Sequence, residues 1–335
     1  MEGKKCHLFV PTGIYPPDIG GPATYVPLLE KHLPAHGFVV LVLPFGAVRF
    51  LPKVISHIVY FLHCLRFTWR ADIVYAQDAV SVGWPALLAA TILRRPFVVK
   101  IVGDPIWEQA RQRFGEKRSR DVFPFWPRHP YLIFLRILQQ LVVRRAREVI
   151  VPSMYLRKIV LQWGVSEERI KVVYNGIELP ADMPLLKTEV KHPLIVSVGR
   201  LVPWKEFWGI IAAAKDTSYQ IVIIGDGPHR AQLEGDVGRN GMSEQVTFTG
   251  ALPRAEMLAW CKAADVFVLN SSYEGLPHTL IEVMSLGTPV IASDIEANRE
   301  VITHGKNGLL VPQHSPEKLR AAIEETLTNK AEREH

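Results

Sequence analysis

The chain has 335 residues, of which 48% are hydrophobic and 21% charged, and this composition excludes a disordered or low-complexity protein. The net charge of +6 lies in the first half, because residues 1–183 hold 24 Lys and Arg against 14 Asp and Glu, whereas residues 184–335 hold 15 against 19. Such a basic half is suited to nucleic acid, an anionic membrane or a phosphorylated acceptor, or is simply a solvated surface.

Short runs rich in β-branched residues alternate with helix-like segments along the chain. The first half predicts strands at 6–11, 38–45, 73–77, 97–102, 148–151 and 171–174. The second half predicts strands at 194–198, 220–224, 246–249, 266–269, 289–292 and 308–311. Continuously apolar runs are typical of parallel strands buried on both faces. The pattern therefore predicts an α/β protein with two doubly wound, Rossmann-like domains, residues 1–183 and 184–335, joined in the proline-rich stretch 179–192.

Ligands of open parallel sheets bind beyond the carboxyl ends of the strands, so the loops that follow strands are the candidate sites. The first strand leads into a loop with Gly20 and Gly21 and a helix that starts near Pro22. Glycines allow a ligand to approach the backbone closely, and a helix start offers free amides. The loop is a candidate ligand-binding element, which the family resemblance described below would assign to the donor, and a plain strand-to-helix turn is the alternative.

The loop after the fourth strand carries Asp104, Trp107 and Glu108, which are candidate acceptor-side residues. Asp104 either accepts a hydrogen bond from a sugar hydroxyl or forms an Asx turn before Pro105, and the sequence favours neither.

Two segments of the first half, 50–70 and 107–131, mix basic with aromatic and aliphatic residues. They suit either a membrane-facing surface that receives a lipid-linked, phosphate-bearing acceptor or a core helix followed by a solvated loop. No nucleic-acid-binding motif accompanies them, so a nucleic acid partner is not expected.

In the second half, the first strand is followed by Gly199 and by two cations, Arg200 and Lys205, that are suited to neutralising a diphosphate. The next strand leads into Gly225 and Gly227, which resemble half of a dinucleotide fingerprint. Its third glycine position is Arg230, so the turn is expected to line a nucleotide pocket rather than an NAD site. The following strand leads into the loop with Leu252, whose backbone is a candidate contact for a base edge.

The fourth strand of this half runs into the segment 271–282, which is expected to enter a helix with Pro277 at its first position. The amides around 275–279, including those of Gly275 and Leu276, would then point out of a helix N-terminus and form an anion site. Glu274 and Glu282 are candidate acceptors for sugar and ribose hydroxyls, and two surface glutamates on a capped helix are the alternative.

The spacing of Glu274 and Glu282 resembles the E-x7-E pattern of retaining family 4 glycosyltransferases, which have the GT-B fold of two Rossmann-like domains facing each other across a cleft. The string EGLPHTLIEVMSLGTPVIAS resembles the signature of that family over its full length. The strings GRLVPWK, GDGP and NGLLVP follow the family order, and the resemblance extends over residues 7–328.

The resemblance implies roles for individual residues. Glu282 resembles the residue that holds the ribose, and Glu274 the one that contacts the donor sugar. Arg200 and Lys205 resemble the clamp on the diphosphate. The amides next to Pro277, which has none itself, resemble the pyrophosphate cradle, and the first glycine loop resembles the one that faces the diphosphate across the cleft.

The resemblance also implies transfer without a metal ion or other cofactor. Three positions depart from the family pattern: Glu206 replaces a glycine, His278 replaces an asparagine, and Asp104 lies where many relatives carry a histidine.

The expected function is transfer of a hexose, with retention, from a UDP- or GDP-sugar to a hydroxyl acceptor, namely a lipid-linked or cell-envelope glycan intermediate. A non-catalytic nucleotide-sugar-binding protein and a GT-B sugar-nucleotide epimerase remain alternatives. Three scattered cysteines and the lack of a recognisable signal peptide or membrane-spanning run favour a cytoplasmic location, either free or peripheral on the cytoplasmic face of a membrane.

Overall fold

The computed structural model describes residues 5–16, 18, 20–186 and 191–329. The chain divides into two compact units, Met1–Asn175 and Gly176–His335. The sequence analysis placed the boundary eight residues later, within the stretch 179–192, of which residues 187–190 lie outside the described part. Each unit is described by itself below.

The first unit is a six-stranded parallel sheet with helices between its strands. Its strands are β1 (Cys6–Thr12), β2 (Phe38–Pro44), β3 (Ile73–Ala76), β4 (Phe97–Lys100), β5 (Glu148–Val151) and β6 (Ile170–Val172). Its helices are α1 (Gly21–His32), α2 (Lys53–Arg70), α3 (Gly83–Ile92), α4 (Pro105–Phe114), α5 (Pro130–Arg145) and α6 (Met154–Gln162). The strand order is β2-β1-β3-β4-β5-β6, so the direction of strand succession reverses beside β1.

The second unit is a second six-stranded parallel sheet, in the order β12-β11-β10-β7-β8-β9. Its strands are β7 (Leu194–Val198), β8 (Gln220–Ile224), β9 (Val246–Gly250), β10 (Val266–Leu269), β11 (Val290–Ser293) and β12 (Leu309–Val311). Its helices are α7 (Phe207–Ala213), α8 (Arg230–Arg239), α9 (Arg254–Ala263), α10 (His278–Ser285), α11 (Glu296–Arg299) and α12 (Pro316–Thr328). The succession reverses between β7 and β10, which is the order of a Rossmann fold.

The second unit shows why its strands are apolar throughout. Successive side chains of a strand point to opposite faces of the sheet, and both faces are covered by helices. In β7, Ile195 belongs to one buried cluster, whereas Leu194 and Val196 belong to the cluster on the opposite face. Because neither face meets water, every position of these strands favours an apolar residue.

The twelve predicted strands are all present, and their ends differ from the prediction by at most two residues. The predicted fold class, two doubly wound α/β domains, is therefore confirmed. Among the described residues, no helix is long and apolar enough to cross a bilayer.

Candidate functional site

The candidate site of the second unit lies where the strand succession reverses, at the carboxyl ends of β7 and β10. In open α/β sheets this is the place where ligands bind. Lys205 follows β7 and Glu274 follows β10, and Lys205 Nζ lies 2.5 Å from Glu274 Oε1. Both side chains are mostly buried, with 18% and 11% of their surface exposed. The structure thus brings together two residues that the sequence analysis assigned to the same site.

Backbone contacts hold these two loops together. The carbonyl of Trp204 accepts hydrogen bonds from the Ser272 amide at 2.7 Å and from the Ser272 hydroxyl at 3.3 Å. The side-chain amide of Asn270 donates to the carbonyl of Glu206 at 3.0 Å. Lys205 lies between these two anchors, so its backbone is held against the loop after β10, and its ammonium is held by Glu274.

Glu206, the residue that replaces the family glycine, has a left-handed backbone with φ 48° and ψ 39°. This conformation costs a non-glycine residue about 1–2 kcal/mol, which explains the glycine of the family pattern. The side chain of Glu206 is buried, and its Oε2 lies 3.0 Å from Nδ1 of His314, which also has a positive φ. The chain therefore keeps the turn and adds a buried carboxylate that contacts His314.

Gly225 and Gly227 serve the close packing of two loops. A Cβ on Gly225 would lie 2.0 Å from the carbonyl oxygen of Gly199, and one on Gly227 would lie 2.4 Å from that of Leu201. The Leu201 amide donates to the carbonyl of Asp226 at 2.9 Å. The loops after β7 and β8 thus touch backbone to backbone, which only glycine permits. The contacts to a donor that were predicted for Gly199, Gly225 and Gly227 stay predictions.

Arg200, the other cation of the predicted clamp, is exposed, and its guanidinium makes no hydrogen bond or ion pair with any described residue. An arginine in this state is available to a ligand anion without breaking an existing pair. It lies at the same strand end as Lys205, five positions before it along the loop.

The helix terminus that was predicted to bind an anion differs in detail from the prediction. Pro277 precedes α10 as its N-cap, with φ −78° and ψ 80°, because the His278 amide turns back to the Leu276 carbonyl at 2.9 Å. The amides of Thr279 and Leu280 have no acceptor in the part of the chain that the structure describes. The amide of Thr279 lies within the predicted range 275–279, and that of Leu280 lies one position beyond it.

Glu282 lies inside α10, with only 6% of its side chain exposed, and it is paired with an arginine that the sequence analysis missed. Arg254, the first residue of α9, donates to Glu282 Oε1 from Nε at 2.8 Å and from Nη2 at 2.6 Å. The sequence gives no indication that Arg254 pairs with Glu282, because the two residues are 28 positions apart along the chain. The nearby Leu252 is half-buried and packs against the core.

In the first unit, the predicted glycine loop ends at the start of α1. Gly20 is the N-cap and has φ 150°, and a Cβ there would lie 2.6 Å from Ile14 Cδ1. Gly21 is the first helical residue and has open space around it. The helix therefore begins with two partly exposed glycines at the carboxyl end of β1, beside the reversal of this sheet.

The structure corrects the assignment of Asp104 and Trp107 to the acceptor. Asp104 is fully buried, caps α4 by accepting from the Ile106 amide at 3.1 Å, and lies 2.6 Å from Arg120 Nε and 3.5 Å from Arg136 Nη2. Trp107 is also buried. The Asx alternative therefore describes Asp104, whose carboxylate is occupied within the fold. Glu108, half-buried in the first turn of α4, remains a candidate.

A second residue that sequence reasoning missed is Lys100, the last residue of β4. Its side chain is 1% exposed, its Nζ lies 3.0 Å from the centroid of the Tyr25 ring, and it donates to Asn175 Oδ1. Burial disfavours the charged form and lowers the pKa of Lys100 to about 7. The only feature of the sequence that could have indicated a buried lysine is its position at the end of an otherwise apolar strand.

The two basic segments of the first unit, 50–70 and 107–131, differ in how far their side chains are exposed. Helix α2 exposes an apolar stripe that includes Ile55, Ile58, Leu62 and Trp69. In the segment 107–131, by contrast, Trp107, Arg120 and Phe123 are buried. Exposed apolar side chains therefore line α2, whereas the later segment is partly buried in the fold, and a membrane-facing role of either segment stays a prediction.

Metal-binding side chains do not cluster in the described ranges: no three His, Cys, Asp or Glu side chains lie close enough together to hold an ion.

Comparison with protein families divides the chain in the same way as its fold. A family model described as Glycosyl transferases group 1 matches residues 182–335. One described as Glycosyl transferase 4-like domain matches residues 22–176. The two matches leave only the first 21 residues and a short connecting stretch uncovered.

Individual proteins show the same likeness. The lipopolysaccharide core biosynthesis glycosyltransferase LpsD of Rhizobium meliloti is 33% identical over 190 residues, which are 55% of this chain and 54% of that protein. The chain thus matches about half the length of such relatives.

Two solved structures cover nearly all of the chain. Sucrose-phosphate synthase from Thermosynechococcus elongatus aligns with a TM-score of 0.78 at 20% identity, over 98% of this chain and 92% of that one. Anabaena Alr3699/HepE in complex with UDP and glucose aligns with a TM-score of 0.72 at 20% identity, over 98% of this chain and 91% of that one. At this identity the likeness shows a common fold.

Proposed function

Because this chain belongs to the group 1 glycosyltransferases of the GT-B fold, we propose that it transfers a hexose from a UDP- or GDP-sugar to a hydroxyl acceptor, with retention and without a metal ion. The observation that carries the proposal is the contact of Lys205 with Glu274 at the strand reversal of the second unit. It combines a cation for a diphosphate with a carboxylate for sugar hydroxyls in a mostly buried place.

Charge on the leaving group is the problem that such a site must solve. When the bond between the sugar and the diphosphate breaks, negative charge develops on the diphosphate oxygen. Lys205, Arg200, which pairs with no described residue, and the amides of Thr279 and Leu280 supply positive charge and hydrogen-bond donors at one sheet edge. Donors positioned before the reaction stabilise such charge without reorganisation, and this contribution is usually the largest one in catalysis.

Lys205 and Glu274 have complementary tasks in this proposal. Glu274 holds the ammonium of Lys205 in place through a short ion pair, and its remaining acceptor capacity is available to a sugar hydroxyl. The bond from the anomeric carbon to the donor oxygen breaks, and the bond to the acceptor oxygen forms on the same face. The proton of the acceptor hydroxyl passes to the departing diphosphate, so no protein nucleophile takes part.

The acceptor is proposed to be lipid-linked, and the exposed stripe of α2 supports this. Apolar side chains on one face of a helix, flanked by Arg66 and Arg70, suit the surface of an anionic membrane. The relative LpsD is named as a lipopolysaccharide core biosynthesis glycosyltransferase, and this name also supports a lipid-containing acceptor. The enzyme would work on the cytoplasmic face of such a membrane.

A donor assay tests the proposal. UDP-glucose, UDP-galactose, UDP-N-acetylglucosamine and GDP-mannose are supplied singly, release of nucleoside diphosphate is measured, and the anomeric configuration of any product is read by NMR. We expect one donor to be consumed, and Lys205→Ala to lower turnover by roughly 10²-fold or more, as loss of one such donor does elsewhere. Lys262→Ala, which changes an exposed lysine of α9, is the matched control and should retain wild-type turnover.

The same assay separates the alternatives. A donor that binds but is never consumed would indicate a nucleotide-sugar-binding protein, and an isomerised sugar without an acceptor would indicate an epimerase. Equal turnover in the Lys205 variant and its control would refute the role of the ion pair. A product of inverted configuration would refute retention alone.

A further inference from the structure

Arg254 makes three hydrogen bonds that link the carboxylate of Glu282 to the backbone. Its Nε and Nη2 both donate to Glu282 Oε1, at 2.8 and 2.6 Å, and Nη2 also donates to the carbonyl of Glu178 at 2.7 Å. The side chain of Arg254 is 35% exposed and that of Glu282 only 6%. The guanidinium therefore lies between the nearly buried carboxylate of Glu282 and the backbone of Glu178, close to the start of this unit.

The two donors converge on a single carboxylate oxygen. Among the described residues, no donor contacts the other oxygen, Oε2, of Glu282. An ionised carboxylate has about four acceptor sites, two on each oxygen. Anchoring one oxygen fixes the plane of the group and leaves the second oxygen to accept bonds from a ligand, such as the two neighbouring hydroxyls of a ribose.

The third hydrogen bond fixes the arginine itself. Its acceptor, the carbonyl of Glu178, belongs to the backbone, so the guanidinium does not depend on another mobile side chain. A lysine at this position is a single point charge on a flexible stem and lacks the planar fork that spans both acceptors. The arrangement thus requires arginine rather than any cation.

The pair also differs from an ordinary surface ion pair in the same unit. Arg320 donates to Glu324 Oε1 at 3.0 Å and to the carbonyl of Lys215 at 3.2 Å. The side chains of Arg320 and Glu324 are, however, 40% and 51% exposed. Exposed pairs of that kind contribute little to stability. Glu282, by contrast, is desolvated, and a buried carboxylate without its partner is strongly disfavoured.

We propose that Arg254 is a positioning residue that orients Glu282 toward the ribose hydroxyls of the donor nucleotide. The inference rests on the proposed function, because it assigns the nucleotide to this site. Arg254 then determines how strongly the enzyme distinguishes a ribonucleotide from one that lacks the two ribose hydroxyls.

Binding of matched nucleotides tests this inference. The dissociation constants of UDP, GDP and their 2′,3′-dideoxy forms are measured by calorimetry for the wild type and for Arg254→Ala, Arg254→Lys, Glu282→Gln and the double variant Arg254→Ala/Glu282→Gln. Arg320→Ala is the matched control, since it removes an arginine that also bonds a glutamate and a carbonyl. Circular dichroism confirms that each variant is folded.

For the ribonucleotide that binds the wild type, we expect the dideoxy form to bind at least about 10-fold more weakly, as loss of bonds to a charged group requires. Arg254→Ala and Glu282→Gln should each remove most of this preference, and the double variant should remove no more, because both changes act on one contact. Arg254→Lys should keep an intermediate preference, and Arg320→Ala the full one.

If both Arg254 variants prefer the ribonucleotide over its dideoxy form as strongly as the wild type does, while Glu282→Gln loses this preference, the positioning role of Arg254 is overturned. The assignment of the donor to this site would still stand. A wild type without any preference would overturn the ribose contact and the inference together. Failure of the wild type to bind UDP or GDP at all would overturn the proposed donor, and with it the inference. If Arg254→Ala does not fold, Arg254→Lys decides alone, and a full preference in that variant counts against the proposal.

Discussion

Replacement of Lys100 by methionine should change how the stability of the protein depends on pH. Methionine has a similar length and is apolar, but it carries no proton to gain or lose. Lys100 is buried at the end of β4, and burial lowers its pKa from 10.5 to about 7. The lysine thus loses its charge in the folded protein at a pH where the unfolded chain still carries it.

The sign of the effect follows from the number of protons bound. Between pH 7 and 10.5 the unfolded state holds a proton on Lys100 that the folded state lacks, so the free energy of unfolding rises with pH in this window. The slope approaches about 1.4 kcal/mol per pH unit, and the whole window corresponds to about 5 kcal/mol. Below pH 7 both states are protonated, and the contribution of Lys100 is constant and unfavourable.

Urea unfolding of the wild type and Lys100→Met at pH 6.5, 7.5, 8.5 and 9.5 measures this contribution. The second unit is identical in both proteins, so its own pH dependence cancels in the difference. The free energy of unfolding of the methionine variant should exceed that of the wild type at pH 7, and this difference should shrink by about 1 kcal/mol for each pH unit above 7. Measurements stop before pH 10, because the raised pKa values of the half-buried Tyr25 and the buried Tyr75 make stability fall again at higher pH.

Lys262→Met, which changes an exposed lysine, is the control and should run parallel to the wild type at every pH. The reasoning is refuted if Lys100→Met also runs parallel to the wild type from pH 7 to 9.5. That result would mean that the Tyr25 ring and Asn175 keep the ammonium charged despite its burial.

Three further predictions concern packing, backbone and surface. Gly225→Ala should lower the free energy of unfolding by about 3 kcal/mol or more, because its Cβ would meet a backbone oxygen, whereas Gly238→Ala in α8 has open space and should be neutral or stabilising in the same thermal melts. Glu206→Gly should be more stable than Glu206→Ala by about 1 kcal/mol in urea, since the position is left-handed; the reverse order would contradict the backbone argument. Replacing Ile58 and Leu62 with serine should weaken co-sedimentation with anionic vesicles without changing nucleotide affinity, and unchanged sedimentation would argue for a soluble acceptor.

Much of the site was accessible from the sequence because it lies in loops that follow recognisable strands. Parallel strands buried on both faces must be apolar throughout, so their positions are visible as local runs. The loops after them contain Arg200, Lys205 and Glu274, Glu282 lies in the helix that follows one of these loops, and the fold brings the loops of β7 and β10 side by side. These loops are neighbours because β7 and β10 are adjacent in the sheet, and no local sequence pattern predicts that strand order.

What only the tertiary structure decided concerns charged side chains and their partners. An aspartate before a proline is equally suited to capping a helix or binding a ligand, and it was the burial of Asp104 beside Arg120 and Arg136 that settled its role. Likewise, Arg254 becomes a partner of Glu282 only because the fold brings the start of α9 next to α10. Secondary structure follows from neighbours along the chain, whereas the pairing of charges depends on residues that are distant in sequence and adjacent only after folding.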